Sequence, residues 1–281
     1  MNRNDYVLID GEIRSASEYE ALIHSEEAYA YEVIRVIDGR PLFLEEHLER
    51  LGRTLAGVEE KYTVDTEELR DGIARLLAAN GVRSDNVKMI LSGGRICVII
   101  NGASYPTNRM YNDGVRVGIL EAERINPQAK ISNHSLRAAA DRLLTDEGYF
   151  EVLLQDRNGC ITEGSRSNVF FIKDGEVITS PPEGVLLGIT RQRIVRICEA
   201  NNIPVVMRRI ERSELDDFDA AFISGTSPKV LPIREVSSGE TVVRYSVSDE
   251  TLRSLMMLYE KEIEEYLAWE DSLQEIEKRT D

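Results

Sequence analysis

The sequence predicts an α+β fold in two domains, and three observations predict it. First, four tight-turn dipeptides separate strand-like runs: Asp10-Gly11 in YVLIDGEIR, Asp38-Gly39 in VIRVIDGRPLF, Asn158-Gly159 in EVLLQDRNGCIT and Asp174-Gly175 in VFFIKDGEVIT. Asp-Gly and Asn-Gly accept the positive backbone angles of a hairpin turn, so the chain is expected to be rich in antiparallel sheet, not a doubly wound parallel one. Second, stretches with helical spacing of apolar residues lie between the hairpins. Third, the Pro-containing connection ERINPQAK, residues 123–130, separates two halves. The first half reads hairpin, hairpin, helix, helix, strands, and the second helix, hairpin, hairpin, helix, strands. The expected domains are therefore 1–121 and 122–281.

The helices follow from their periodicity and ends. Residues 44–56 carry Leu48, Leu51 and Leu55 at helical spacing. Residues 66–79 follow Asp65, with Glu68 three positions on, a capping box with Asp in the Ser/Thr place. Residues 135–147 are rich in Ala and Leu, and Gly148 can close them. Thr190 can cap a helix through about Ala200, ended by Asn201, Asn202 and Pro204. Residues 248–279 read as one long charged helix or a pair, whose Glu/Lys pattern suits a solvated face and tail.

Composition narrows the function. The 281 residues are 42% hydrophobic and 30% charged, ordinary for a soluble globular chain. The net charge of -16 disfavours nucleic acid and anionic membranes as partners. No apolar run is long enough to span a bilayer, and MNRNDYVLIDGE lacks a signal-peptide core, so the expected compartment is the cytoplasm. Cys97, Cys160 and Cys198 are widely spaced and suit neither a disulfide framework nor a zinc site. The histidines are scattered, so neither a metal site nor a Ser-His-Asp arrangement is expected.

Few residues stand out as chemically placed. The lysines are Lys61, Lys88, Lys130, Lys173, Lys229, Lys261 and Lys278. Lys173, in a hairpin turn, and Lys261 and Lys278, in the charged C-terminal stretch, read as solvated. Lys130 follows the connection between the halves and precedes a helix. Desolvation there would lower its pKa and make it a nucleophile, while the plainer reading is a surface lysine near a helix start. Ile189 and Thr190 follow Gly188 at a helix start, where backbone N–H groups and a hydroxyl suit an anion; simple N-capping is the alternative. Thr226, in SGTSPK after the apolar run AAFI, reads either as part of a phosphate cradle or as a turn. Glu163 ends a strand and enters the small-residue stretch GSRSN, with room for a flat ligand or open to solvent. Arg50, on the first long helix, points either to a cleft edge or into water.

Taken in order, YEVIRVIDGRPLFLEEHLERL (31–51), AKISN (129–133), ITEGSRSNVFFIKDGEVIT (161–179), LLGITR (186–191) and ISGTSPKVLPI (223–233) resemble the fold-type IV pyridoxal-phosphate (PLP) enzymes, the class-IV aminotransferases. That group includes branched-chain and D-amino-acid aminotransferases and aminodeoxychorismate lyases. The resemblance implies a small N-terminal α/β domain and a larger C-terminal, PLP-binding domain with a barrel-like sheet. It implies that Lys130 is the Schiff-base lysine and proton shuttle, and that Glu163 holds the pyridine nitrogen. Arg50, Ile189, Thr190 and Thr226 would hold the phosphate, and Tyr31 would line the substrate pocket. An amino acid and a 2-oxo acid would be the substrates, and a homodimer or larger homo-oligomer the assembly.

The sequence also departs from the pattern. SEEAYA (25–30) stands where many members are Gly-rich, and His134 stands where branched-chain enzymes have Tyr. Arg95 and Arg109 are candidates for binding the substrate carboxylate. The segment 101–114 is the expected loop to a neighbouring subunit. A lyase, or a non-catalytic member using the fold for binding, are the competing functions; Lys130, Glu163 and Arg50 together argue against the latter.

Overall fold

A computed structural model describes residues 5–22, 28–56, 65–102 and 104–280 of the chain. Residues 25–27 of SEEAYA and Lys61 lie outside them. The chain forms two compact units, one of residues 1–104, 129–132 and 263–281, the other of residues 105–128 and 133–262.

The first unit holds strands β1 (Tyr6–Ile9), β2 (Glu12–Ser15), β3 (Ala30–Ile37), β4 (Arg40–Pro41), β5 (Asp85–Ser92) and β6 (Arg95–Ile100). It also holds helices α1 (Ala16–Leu22), α2 (Leu44–Ala56) and α3 (Thr66–Ala79). The strands form an antiparallel sheet in the order β2-β1-β6-β5-β3-β4. Strand β3 alternates strictly between buried and half-buried positions. Its Ile34 and Val36 join Val87, Met89 and Val98 of the sheet and Leu44, Leu51, Ile73 and Leu76 of the helices in one apolar core. The capping box of α3 is half formed: Asp65 Oδ1 accepts the N–H of Glu68 at 2.9 Å.

The second unit adds α4 (Asn108–Asp113), β7 (Val115–Glu121), α5 (His134–Asp146), β8 (Glu151–Gln155), β9 (Cys160–Gly164), β10 (Asn168–Lys173), β11 (Glu176–Thr179) and α6 (Ile189–Ala200). It continues through β12 (Val205–Met207), β13 (Ile210–Glu211), β14 (Ala220–Gly225), β15 (Lys229–Ser238) and β16 (Thr241–Arg244). Helix α7 (Glu250–Thr280) is continuous, so the charged C-terminal stretch is one helix and not a pair. The strands form a ten-stranded sheet in the order β12-β11-β10-β14-β15-β7-β8-β9-β13, with β16 on β15. Most pairs are antiparallel, but β7 with β8, β11 with β12, and β15 with β7 are parallel. Two of the parallel pairs are joined through helices, α5 and α6, and such crossovers carry no turn dipeptide to announce them.

Three of the four expected turns have the angles that Asp-Gly favours, with φ of 48° and 81° at Asp10-Gly11, 51° and 81° at Asp38-Gly39, and 50° and 79° at Asp174-Gly175. At Asn158-Gly159 only the glycine is positive, at 81°. There Asp156 organises the turn, its carboxylate accepting the N–H groups of Asn158 and Cys160 at 2.9 and 2.8 Å. Segment 101–114 is not wholly irregular, because Thr107 caps α4 within it. Thr190 is not a cap: Gly188 occupies that position, and Thr190 lies inside the first turn. Cys97, Cys160 and Cys198 are free and buried, and burial pushes each thiol up, Cys198 to about 11.

Candidate active site

Lys130, Tyr31 and Arg50 lie in the first unit. Tyr31 begins the half-buried phase of β3, and the next residue, Glu32, faces the core. Residues 129–132 run alongside this strand: the N–H of Tyr31 donates to the Lys130 carbonyl at 3.0 Å, and Ala30 bridges to Ile131. The Lys130 N–H in turn meets the Thr54 hydroxyl of α2 at 3.3 Å. Lys130 is thus held by its backbone on both sides, and its Nζ lies 4.8 Å from the centre of the Tyr31 ring.

Arg50 is not solvated. It is 4% exposed and pairs with Glu32, which is fully buried, through Nε and Nη2 at 2.8 and 2.6 Å. His47, one turn earlier on the same helix face, meets the same carboxylate through Nδ1 at 2.8 Å. An ionised carboxylate only accepts, so Nδ1 carries the proton. Burial raises the Glu32 carboxyl, but Arg50 and then His47 outweigh it and hold the group well below the usual carboxylate range. Burial pushes His47 down; Glu32 pulls it up, Arg50 and Lys130 push it down, and the ring stays below its ordinary value.

Lys88 and Tyr29 complete this cluster, and sequence reasoning missed both roles. Lys88 on β5 stands opposite Val33 of β3. Its Nζ donates to the Tyr29 hydroxyl at 3.0 Å and lies 5.3 Å from the Tyr31 ring that Lys130 also approaches. Arg95 and Arg109 are engaged at the surface, by Asp10 at 2.8 Å and Asp113 at 3.0 Å.

Glu163, Ile189, Thr190 and Thr226 lie in the second unit. Glu163 is 2% exposed, so the solvent-facing reading fails. One of its oxygens accepts the N–H of Leu186 at 3.1 Å, and the other lies 3.7 Å from Arg124 Nη1. Three residues past Leu186, α6 starts at Ile189 with no side-chain cap. A Cβ at Gly188 would fall 2.3 Å from Asn168 Oδ1, so a larger residue there would have to displace the Asn168 amide. Ile189 and Thr190 are buried, and the Thr190 hydroxyl accepts from Tyr259 at 3.3 Å. Thr226 is half-buried in the turn between β14 and β15.

The first unit thus carries an antiparallel sheet and a lysine held by its backbone, and the second a larger mixed sheet, a buried carboxylate and an uncapped helix start. The chain belongs to the class IV aminotransferase family, whose model matches residues 29–236. A D-alanine aminotransferase of Bacillus licheniformis is 25% identical over 236 residues, 75% of this chain and 80% of that one. An aminodeoxychorismate lyase of Bacillus subtilis is 26% identical over 255 residues, 83% and 85% of the two chains. The branched-chain amino acid aminotransferase of Thermobaculum terrenum, solved in its PLP form, shares the fold with a TM-score of 0.77 at 21% identity, covering 94% of this chain and 95% of that one. No helix among the described residues is long and apolar enough to cross a membrane, and none of their His, Cys, Asp or Glu side chains group as a metal site.

Proposed function

We propose that the chain is a PLP-dependent aminotransferase that moves an amino group between an amino acid, branched-chain or D, and a 2-oxo acid. The observation that carries this reading is Lys130, fixed by its backbone to β3 and α2 with its amine over the Tyr31 ring. The residues suit the cofactor: an amine to attach it, a buried carboxylate for a ring nitrogen, and an uncapped helix start with a glycine approach for a phosphate. Bound PLP supplies a sink for the electron pair left when the substrate Cα–H bond breaks.

The rest falls to the chain's own groups. Lys130 Nζ would attach the cofactor and then carry the proton from the substrate Cα to the cofactor carbon. Glu163, buried, holds a proton on the ring nitrogen. Arg50, the N–H groups of Ile189 and Thr190, and the hydroxyls of Thr190 and Thr226 bind the phosphate. Glu32 already takes the Nε/Nη2 edge of Arg50, which sets the direction of the guanidinium. Tyr31 lines the substrate position. Lys88, near the same ring, binds a substrate carboxylate in this reading, in place of Arg95 or Arg109. The segment 101–114 reaches a neighbouring subunit of a homodimer; an active monomer in sedimentation would refute that part.

The test is an amino-donor panel. Purified holoenzyme with 2-oxoglutarate is offered L- and D-amino acids, and borohydride trapping maps the pyridoxyl group. Turnover of a branched-chain or D-donor with the group on Lys130 is expected. Release of pyruvate from aminodeoxychorismate without turnover of any donor would make it the lyase, and a group on Lys88 or Lys229 would overturn the site.

A further inference from the structure

Glu163 sits at a break in strand register. Strands β8 and β9 pair Leu153 with Gly164 and Gln155 with Ile161, so one extra residue is inserted in β9 between those pairs. Such a bulge re-aims side chains and interrupts the ladder locally. The turn that follows residue 163 adds its own hold on the backbone there.

Immediately after Glu163 the chain turns from β9 into β10 through Gly164–Ser167. The turn closes with the Gly164 N–H on the Ser167 carbonyl at 2.8 Å, and Ser165 N–H reaches back to Val152 at 2.9 Å. At its centre lies Glu151, the first residue of β8, 4% exposed. One oxygen accepts the Ser165 hydroxyl at 2.6 Å and the Val152 N–H at 2.9 Å. The other accepts the Ser167 hydroxyl at 2.9 Å and the Arg166 N–H at 3.1 Å. Four donors fill a carboxylate's capacity, and three come from consecutive residues of the turn. The fit leaves no room at Gly164, where a Cβ would lie 2.1 Å from Ser167 Oγ and 3.2 Å from Glu151 Cγ. The outer side of the turn is tied to α5: Arg137 donates to the Ser165 hydroxyl at 3.3 Å, and Arg166 pairs with Asp141.

We propose that Glu151 is a positioning residue: by clasping residues 165–167 it holds Glu163, which the bulge releases from strand register, in the direction its work requires. The inference rests on the role assigned above to Glu163. A burial need alone would be met by an apolar residue at the start of β8, whereas a carboxylate organises three successive donors at a fixed place.

The experiment binds PLP, labelled with 15N at the ring nitrogen, to the parent chain and to Glu151→Ala, Glu151→Gln, Glu163→Gln and the double variants. It reads the 15N shift together with PLP affinity. Glu163→Gln is expected to move the shift toward that of neutral pyridine. Glu151→Ala should move it the same way by a smaller amount, and Glu151→Gln, which keeps one acceptor oxygen, by less again. In the Glu163→Gln background neither Glu151 change should move it further, and PLP affinity should change less than about 3-fold, a fraction of one hydrogen bond. With D-alanine or L-leucine, Glu151→Ala should slow single-turnover conversion about 10²-fold, as misplacement does. If Glu151→Ala does not fold, Glu151→Gln carries the test. An unchanged shift in the foldable Glu151 variants, or an equal move with and without Glu163, overturns the positioning role alone. An unchanged shift in Glu163→Gln overturns the Glu163 assignment and this inference with it.

Discussion

Replacing Arg50 with methionine tests how the first unit is held as well as the proposed part of Arg50 in binding a cofactor. The Arg50 and Glu32 side chains are both buried and are joined by two short bonds. Removing the cation leaves a fully buried carboxylate with the His47 N–H and no guanidinium. Breaking one side of such a pair costs about 3–5 kcal/mol, most of it the penalty of the stranded charge. The loss of fold stability should therefore accompany, and mask, the one to two decades of PLP affinity that a lost charge-assisted bond costs, about 1.5–3 kcal/mol.

The assay is urea unfolding of the apo chain, followed by Trp269, the single tryptophan, which lies in the same unit. Adding Glu32→Gln to Arg50→Met should recover most of the loss, since the amide oxygen still accepts from His47 and no buried charge remains. The pH dependence has a fixed sign. Glu32 is depressed in the fold, so its contribution is present above the unfolded value near 4.5 and is lost as pH falls through the folded one. His47 is also depressed, so the unfolded chain starts to take up a proton near 6.5 that the fold resists, and stability begins to fall there. In Arg50→Met the carboxyl can accept a proton in place, so its deficit should shrink as pH is lowered. A loss under about 1 kcal/mol at neutral pH, the worth of an exposed pair, would refute the reasoning.

Three further outcomes are expected. Glu163→Gln should stay loaded with PLP yet convert to the pyridoxamine form on the order of 10²–10³-fold more slowly in single turnover; a parent-like rate would remove it as the electronic partner. Lys88→Met should raise KM for carboxylate-bearing donors about tenfold or more while sparing amines without a carboxylate, and an equal effect on both would deny it that contact. Gly188→Ala forces Asn168 from its 2.8 Å bond to the Leu186 carbonyl, and should lower stability by about 1–3 kcal/mol with a matching loss of PLP affinity, read by denaturation and titration.

What could be read from the sequence divides along physical lines. Local signals carried: Asp-Gly turns, the Asp65 cap and the Leu periodicity of α2 each act over a few residues, and each is found in place. The parallel pairings of β7 and β8 did not show, because they form between segments that no local signal connects. Arg50 was ambiguous because helical phase alone cannot tell a buried cation from a surface one without its counter-charge. That counter-charge had a signal: in YEVIRVI, Glu32 shares the phase of Ile34 and Val36, and an acid on the apolar phase of an alternating strand needs a buried partner. Lys88 had none of comparable strength, since its neighbours Tyr29 and Tyr31 come from another strand and its approach.

The three buried thiols turn the protein into its own clock. A thiol attacks an alkylating reagent as the thiolate, and burial both raises these pKa values and shuts the reagent out. Modification then waits on opening of the surrounding structure. Cys97 belongs to the first unit, and Cys160 and Cys198 to the second. A pulse of iodoacetamide followed by peptide mass spectrometry would time the opening of each unit separately in unmodified chain, with Cys160 at the start of β9 and Cys198 in the last turn of α6 as two independent hands.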